Sequence, residues 1–188
     1  MINHQHKFLF IHIPRTGGSS IEYQFDSFTH MDKHWILNDW KKSLVPEIFD
    51  SYFKFSFVRN PWDFTISKYK ALPFRGGWGM IGEKAGKTLK YFLEHYKTPK
   101  YEYGETFHDY FDPKQMDFIG RFENRKNDLN YISKKIGSDI DPKIHQNKVQ
   151  MNDKNKKHYT EYYDDETREI VAERYAKDIE YFGYEFGG

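Results

Sequence analysis

The stretch FLFIHIPRTGGSS, from Phe8 to Ser20, constrains this chain more than any other. An apolar run from Lys7 to Ile13 has the length of a buried strand, and Pro14 closes it. Arg15, Thr16, Gly17, Gly18, Ser19 and Ser20 follow as a turn, and Ile21, Phe25 and Phe28 then recur at helical spacing. A strand, a turn and a helix over Ser19 to Phe28 are therefore expected. The pattern returns in FKFSFVRNPWD, from Phe53 to Asp63. There the strand Phe53 to Val58 ends in Arg59. Asn60 suits a helix N-cap and Pro61 the first helical position, opening a helix to about Leu72. Two strand–turn–helix units imply an α/β fold with a central parallel sheet, in which ligands sit at the C-terminal strand ends.

The 188 residues suit a single domain over 1–188. A short helix is expected over Val45 to Tyr52 and another over Thr88 to Tyr96. Asp117 to Gly120 reads as a short strand, Phe122 to Ile136 as mostly helix, and Asp164 to Tyr181 as one long amphipathic helix. Pro73 to Gly86 reads as a glycine-rich loop, Lys97 to Pro113 as irregular, and Lys143 to His158 as a polar, basic stretch. The segment from His30 to Trp40 has no clear state, and His4 and His6 are expected in a frayed terminus.

Composition narrows the function. Aromatic residues make up 19% of the chain, so an aromatic-rich core replaces an aliphatic one. The net charge of +1 gives no global signal for nucleic acid, so any anion site must be a local cluster. With no cysteine, disulfides and thiolate metal sites are excluded. No apolar run approaches a membrane span and no signal-like segment opens the chain; a soluble, cytoplasmic protein is expected.

The two turns carry the chemistry. In the first, the glycines let backbone approach a ligand closely, the hydroxyls of Thr16, Ser19 and Ser20 can donate, and Arg15 can fork onto oxygens. In the second, Asn60, Asp63 and Ser67 share one helical stripe, and Arg59 enters beside it, so Arg59 and Ser67 can grip one anion. Taken singly, each turn reads first as a well-capped strand-to-helix connection. Together they fit a nucleotide with phosphates at both ends. A Gly-x4-Gly-Lys-Ser/Thr loop is absent and no strand ends in a convincing magnesium-binding Asp, which argues against NTP hydrolysis.

With these turns in order, the chain resembles the sulfotransferase family, in the branch of the uronyl 2-O-sulfotransferases and their small bacterial relatives. Phe118-Ile-Gly-Arg-Phe-Glu123 and the segment from Tyr162 to Tyr184 extend the resemblance over most of the chain. It implies a P-loop-like three-layer fold and 3′-phosphoadenosine 5′-phosphosulfate (PAPS) as donor, with the bisphosphate (PAP) as product and no metal. Arg15 to Ser20 would hold the 5′-phosphosulfate, and Arg59 with Ser67 the 3′-phosphate. The acceptor would be a hydroxyl compound, expected to be a carbohydrate. Arg15 stands where many members carry Lys. The family also places a catalytic His between the clamps, commonly after a Lys. Lys33-His34 fits that place, with His34 as base and Lys33 steadying the sulfate or the leaving phosphate; His30 is the runner-up. Arg121, the glycine-rich loop 76–86 with Trp78 and the basic stretch 148–158 are further candidates for lining the site. A kinase-like NTP enzyme and a non-catalytic nucleotide-binding module are the alternatives.

Overall fold

Both expected strands form, and they lie side by side. The computed structural model describes residues 1–26, 34–71, 88–96, 104–144 and 157–188. Its strands are Ile2–Asn3 (β1), Phe8–Ile11 (β2), Phe53–Val58 (β3) and Phe118–Arg121 (β4), in sheet order β1-β2-β3-β4. β1 runs antiparallel to β2. β2 pairs parallel to β3 with Phe8 opposite Phe53 and Ile11 opposite Ser56. β3 pairs parallel to β4 with Phe57 opposite Gly120 and Val58 opposite Arg121. With nine α-helices among the described residues, the protein is mixed α/β. It divides into two compact units, Met1–Arg59 with Pro99–Lys148, and Asn60–Thr98 with Val149–Gly188.

The first unit holds the sheet. Side chains alternate along a strand, so Phe8 and Phe10 of β2 share a face with Phe53 and Phe55 of β3. The rings of Phe10 and Phe55 stack at 4.9 Å between centroids, and Phe8 lies 5.5 Å from Phe55. Ile21 of helix Ser19–Gln24 (α1) and Leu129, Ile132 and Ile136 of helix Arg125–Ile136 join this core. Leu9 and Ile11, on the other face of β2, are also fully buried, which explains its continuous apolar run. Lys54 fits within β3 because its ammonium donates to the carbonyls of Phe49 and Tyr52, at 3.1 and 2.9 Å, around the end of helix Pro46–Ser51 (α3, which follows α2 at Leu37–Ser43).

The second unit is helical. Helix Pro61–Ala71 (α4) starts as expected, with the Asn60 side-chain oxygen accepting from the Trp62 N–H at 3.2 Å. The Trp62 indole donates to the Arg168 carbonyl at 3.1 Å, and the Tyr163 hydroxyl donates to the Trp62 carbonyl at 2.8 Å. Arg174 donates to the Leu93 carbonyl of helix Leu89–His95 at 2.6 Å.

Several boundaries differ from expectation for identifiable reasons. The long helix expected over Asp164 to Tyr181 is two, Asp165–Arg174 and Ala176–Phe182. It breaks at Tyr175, whose buried ring meets Phe64 edge-on at 6.1 Å, so packing overrides an unbroken helical period. α1 stops at Gln24 rather than Phe28; Phe25 turns its ring edge onto Phe8 at 5.0 Å, and Asp26 takes a positive φ of 49°. The N-terminal segment is not frayed. It forms β1, buries Met1 and stacks the His6 ring edge-on against Phe25 at 5.7 Å. Within the unassigned stretch, Leu37 begins a helix that runs to Ser43. Among the described residues, no helix is long and apolar enough to cross a membrane.

Gly120 tests the sheet. A Cβ there would lie 2.5 Å from the fully buried Phe57 ring of the paired strand. Gly120→Ala is expected to cost about 1–3 kcal/mol of stability through overpacking, read by urea unfolding. A change within error would mean that the ring is not locked.

Candidate anion site at the sheet edge

Because β2, β3 and β4 run parallel, their C-terminal ends open on one edge of the sheet. Arg15 follows β2, Arg59 follows β3, and Arg121 ends β4. The first two meet directly: Arg59 Nη1 donates to the Arg15 carbonyl at 3.0 Å. The Arg59 guanidinium also lies over the Phe122 ring, 4.1 Å from its centroid. That stacking and hydrogen bond hold Arg59 beside the turn.

The turn itself is unusual backbone. Arg15 has φ of +69° and Gly17 φ of +87°. A positive φ is ordinary for glycine, but at arginine it is uncommon and marks a position held by its surroundings. The Thr16 hydroxyl donates inward to the Ile13 carbonyl at 2.8 Å, which closes the turn on its own strand. Ser20 is buried at the start of α1, and Ser19 is partly exposed there. Gly18 has ordinary helical angles and is needed for space. A Cβ at Gly18 would lie 2.2 Å from His12 Cδ2 and 2.5 Å from its Nε2.

His12 is therefore the floor of the turn. It is 2% exposed, and its Nδ1 lies 2.7 Å from Glu22 Oε1 of α1, itself 3% exposed. A carboxylate can only accept, so Nδ1 carries the proton. Two buried polar groups thus satisfy each other beneath the glycines. Neither His12 nor Glu22 is among the candidates that the sequence marks. The available signal was an acidic residue beside Ile21 on the buried face of a short helix.

His34 stands next to this pair. Its Nδ1 donates to the His12 carbonyl at 3.0 Å, and the two rings are 4.7 Å apart, centroid to centroid. Because a carbonyl is its partner, Nδ1 bears hydrogen, and the neutral ring has its lone pair on Nε2. The first unit thus brings together Arg15 to Ser20, Arg59 and His34. Ser67 lies partly exposed on α4, in the second unit. Lys33, His30, the loop 76–86 and the basic residues 148–156 lie outside the described residues. Phe122 and Arg125, which border the turn, were not singled out from sequence. A Cβ at Gly17 would lie 3.5 Å from Phe122 Cε2 and 3.2 Å from Arg125 Nε. Among the described residues, no group of His, Asp or Glu is arranged to hold a metal ion.

A mixed α/β protein with arginines gathered at one strand edge is the class this geometry defines. Residues 110–185 match the model of the sulfotransferase family, and the match supports a sulfotransferase family for this chain. The matched region includes β4 and the last helices and lies downstream of both arginine turns. An uncharacterized protein of Archaeoglobus fulgidus is 29% identical over 97 residues, which span 48% of this chain and 72% of that relative. No solved structure matches the chain at a significant level.

The buried pair gives a direct test. Glu22→Leu removes the acceptor of a buried imidazole N–H and is expected to cost about 1–3 kcal/mol, whereas Glu22→Gln, which keeps an acceptor oxygen, should cost less. Urea midpoints of the two variants measure the difference. Equal losses would mean that the hydrogen bond to His12 contributes little.

Proposed function

We propose that this protein transfers a sulfuryl group from PAPS to a hydroxyl acceptor, with a carbohydrate as the favoured acceptor class. The observation that carries the reading is the meeting, at one sheet edge, of the Gly17–Gly18 turn, the paired Arg15 and Arg59, and a histidine with its lone pair on Nε2. The family match over residues 110–185 supports the reaction class. A P-loop-like three-layer architecture accords with the parallel β2, β3 and β4 and their helices.

On this reading, Arg15 and the backbone of Thr16 to Ser20 hold the 5′-phosphosulfate. Arg59 takes the 3′-phosphate, and Ser67 keeps the role that the sequence resemblance gives it. The acceptor oxygen attacks sulfur, and the bond from sulfur to the bridging oxygen of the 5′-phosphate breaks. The sulfuryl group ends on the acceptor and the electron pair on PAP. His34 Nε2 accepts the acceptor's proton, and Lys33 steadies the leaving phosphate. Arg15 offsets charge on the bridging oxygen without donating its proton, which a phosphate leaving group does not require. The hydrogen bond to the His12 carbonyl holds His34 in the tautomer a base needs.

Titration calorimetry with PAP and ATP tests the donor. PAP is expected to bind about tenfold or more tightly than ATP, since one charge-assisted clamp is worth about 1.5–3 kcal/mol, and binding should persist in EDTA. Tighter, magnesium-dependent binding of ATP would favour a kinase-like enzyme instead.

His34→Ala is expected to lower turnover about 10²–10⁴-fold while leaving PAP affinity nearly unchanged. In the wild type, the rate should rise with pH as the imidazolium loses its proton, because only the neutral ring accepts one; the variant should lose that rise. Transfer of labelled sulfate to an accepted hydroxyl compound, or slow donor hydrolysis, provides the assay. Near-normal turnover in His34→Ala would exclude it as the base.

A further inference from the structure

Among the described residues, no carboxylate forms an ion pair with Arg125. It is 9% exposed, at the first position of helix Arg125–Ile136, where the helix dipole is itself positive. Burial lowers its pKa from the ordinary arginine value. Nη1 donates to the Pro142 carbonyl at 2.9 Å. Nη2 is buried without a hydrogen-bond partner among the described residues. Asp128, the acidic residue of the same first turn, is committed elsewhere, accepting from the Arg121 N–H at 2.6 Å and the Asn124 amide at 2.9 Å. A buried cation left this way is costly unless something completes it.

The direction of the side chain says what completes it. With Nη1 engaged, Nε and Nη2 remain, and these form the side-on edge of the guanidinium, the fork that grips two oxygens of an oxyanion. Nε lies 3.2 Å and Cδ 3.6 Å from the position of a Cβ on Gly17, so the Nε end of this edge borders the turn and any side chain at residue 17 would crowd it.

We infer that Arg125 is an oxyanion ligand of the Gly17 turn, its Nε–Nη2 edge gripping a sulfate- or phosphate-type group seated there. The nucleotide form of this inference rests on the proposed donor and assigns Arg125 to the 5′ end. The oxyanion form stands without it. Arg125 then adds a third guanidinium to those of Arg15 and Arg59.

Two arms separate the possibilities. In the first, thermal unfolding of the wild type, Arg125→Met, Arg125→Lys and a control, Lys134→Met, an exposed cation on the same helix, is compared in sulfate and in chloride at matched ionic strength. General salting effects act on all four alike. Sulfate should raise the Tm of the wild type and the control by more than that of either Arg125 variant. In chloride, Arg125→Met should melt at or above the wild type, because an uncompensated buried charge has gone. Equal sulfate responses would overturn the inference. So would an Arg125→Met that melts far below the wild type while Arg125→Lys keeps the full sulfate response. In the second arm, calorimetry compares PAP with adenosine 3′-monophosphate, which lacks the 5′ group. Both Arg125 variants should weaken PAP about tenfold or more and leave the monophosphate unchanged. A sulfate difference in a protein that binds neither nucleotide would keep Arg125 as an oxyanion ligand and remove the donor reading. PAP binding untouched by either substitution would overturn the assignment of Arg125.

Discussion

The parallel alignment of β2 with β3 is the constraint on which the site depends. It is fixed by phenylalanine rings, Phe8 and Phe10 against Phe53 and Phe55, in the register that sets Ile11 opposite Ser56. A slip of one residue would turn every one of these rings to the other face. It would also separate Arg15 from Arg59, whose hydrogen bond spans the two strand ends. Bulky rings at the centre of the sheet thus set the spacing of the charges at its edge. Gathering guanidinium groups is unfavourable on electrostatic grounds. The Phe122 ring under Arg59 and the carbonyls of Arg15 and Pro142 offset part of that cost, and an anion would offset more.

Features that depend on local pattern were legible in the chain. The strand Phe53 to Val58 was readable to the residue, and the Asn60–Pro61 helix start shows both its cap and its proline. Arg15 and Arg59 were placed at strand ends by the same reasoning. Features set by distant partners were not legible. No local signal tells that a helix breaks at Tyr175 to seat a ring on Phe64, or that Ile2 and Asn3 find a strand partner in β2. Arg125 is more than a hundred positions from Gly17 and looks in sequence like a solvated residue of a helix first turn. Only the fold shows that its Nη2 is buried without a partner among the described residues.

The pair beneath the turn explains why two adjacent glycines serve different ends. Gly17 supplies a left-handed angle, while Gly18 supplies room for an imidazole. His12 thereby touches three things at once: the turn through Gly18, α1 through Glu22, and His34 through its own carbonyl. A group of this kind acts on chemistry by holding other atoms in place, and its loss would loosen the backbone donors and the base together.

The two compact units are each built from separated lengths of chain. That interleaving has a consequence for synthesis, since a chain emerges from the ribosome in order and its units fold as their parts become available. When Asn60–Thr98 appears, Trp62 and Phe64 of α4 are already outside, yet Tyr163, Arg168 and Tyr175, which meet them in the finished unit, are still unmade. The first unit has its last segment by Lys148, ahead of the second. For that interval the nascent protein carries a finished sheet together with a helix that still lacks its hydrogen bonds to Tyr163 and Arg168 and its ring contact with Tyr175.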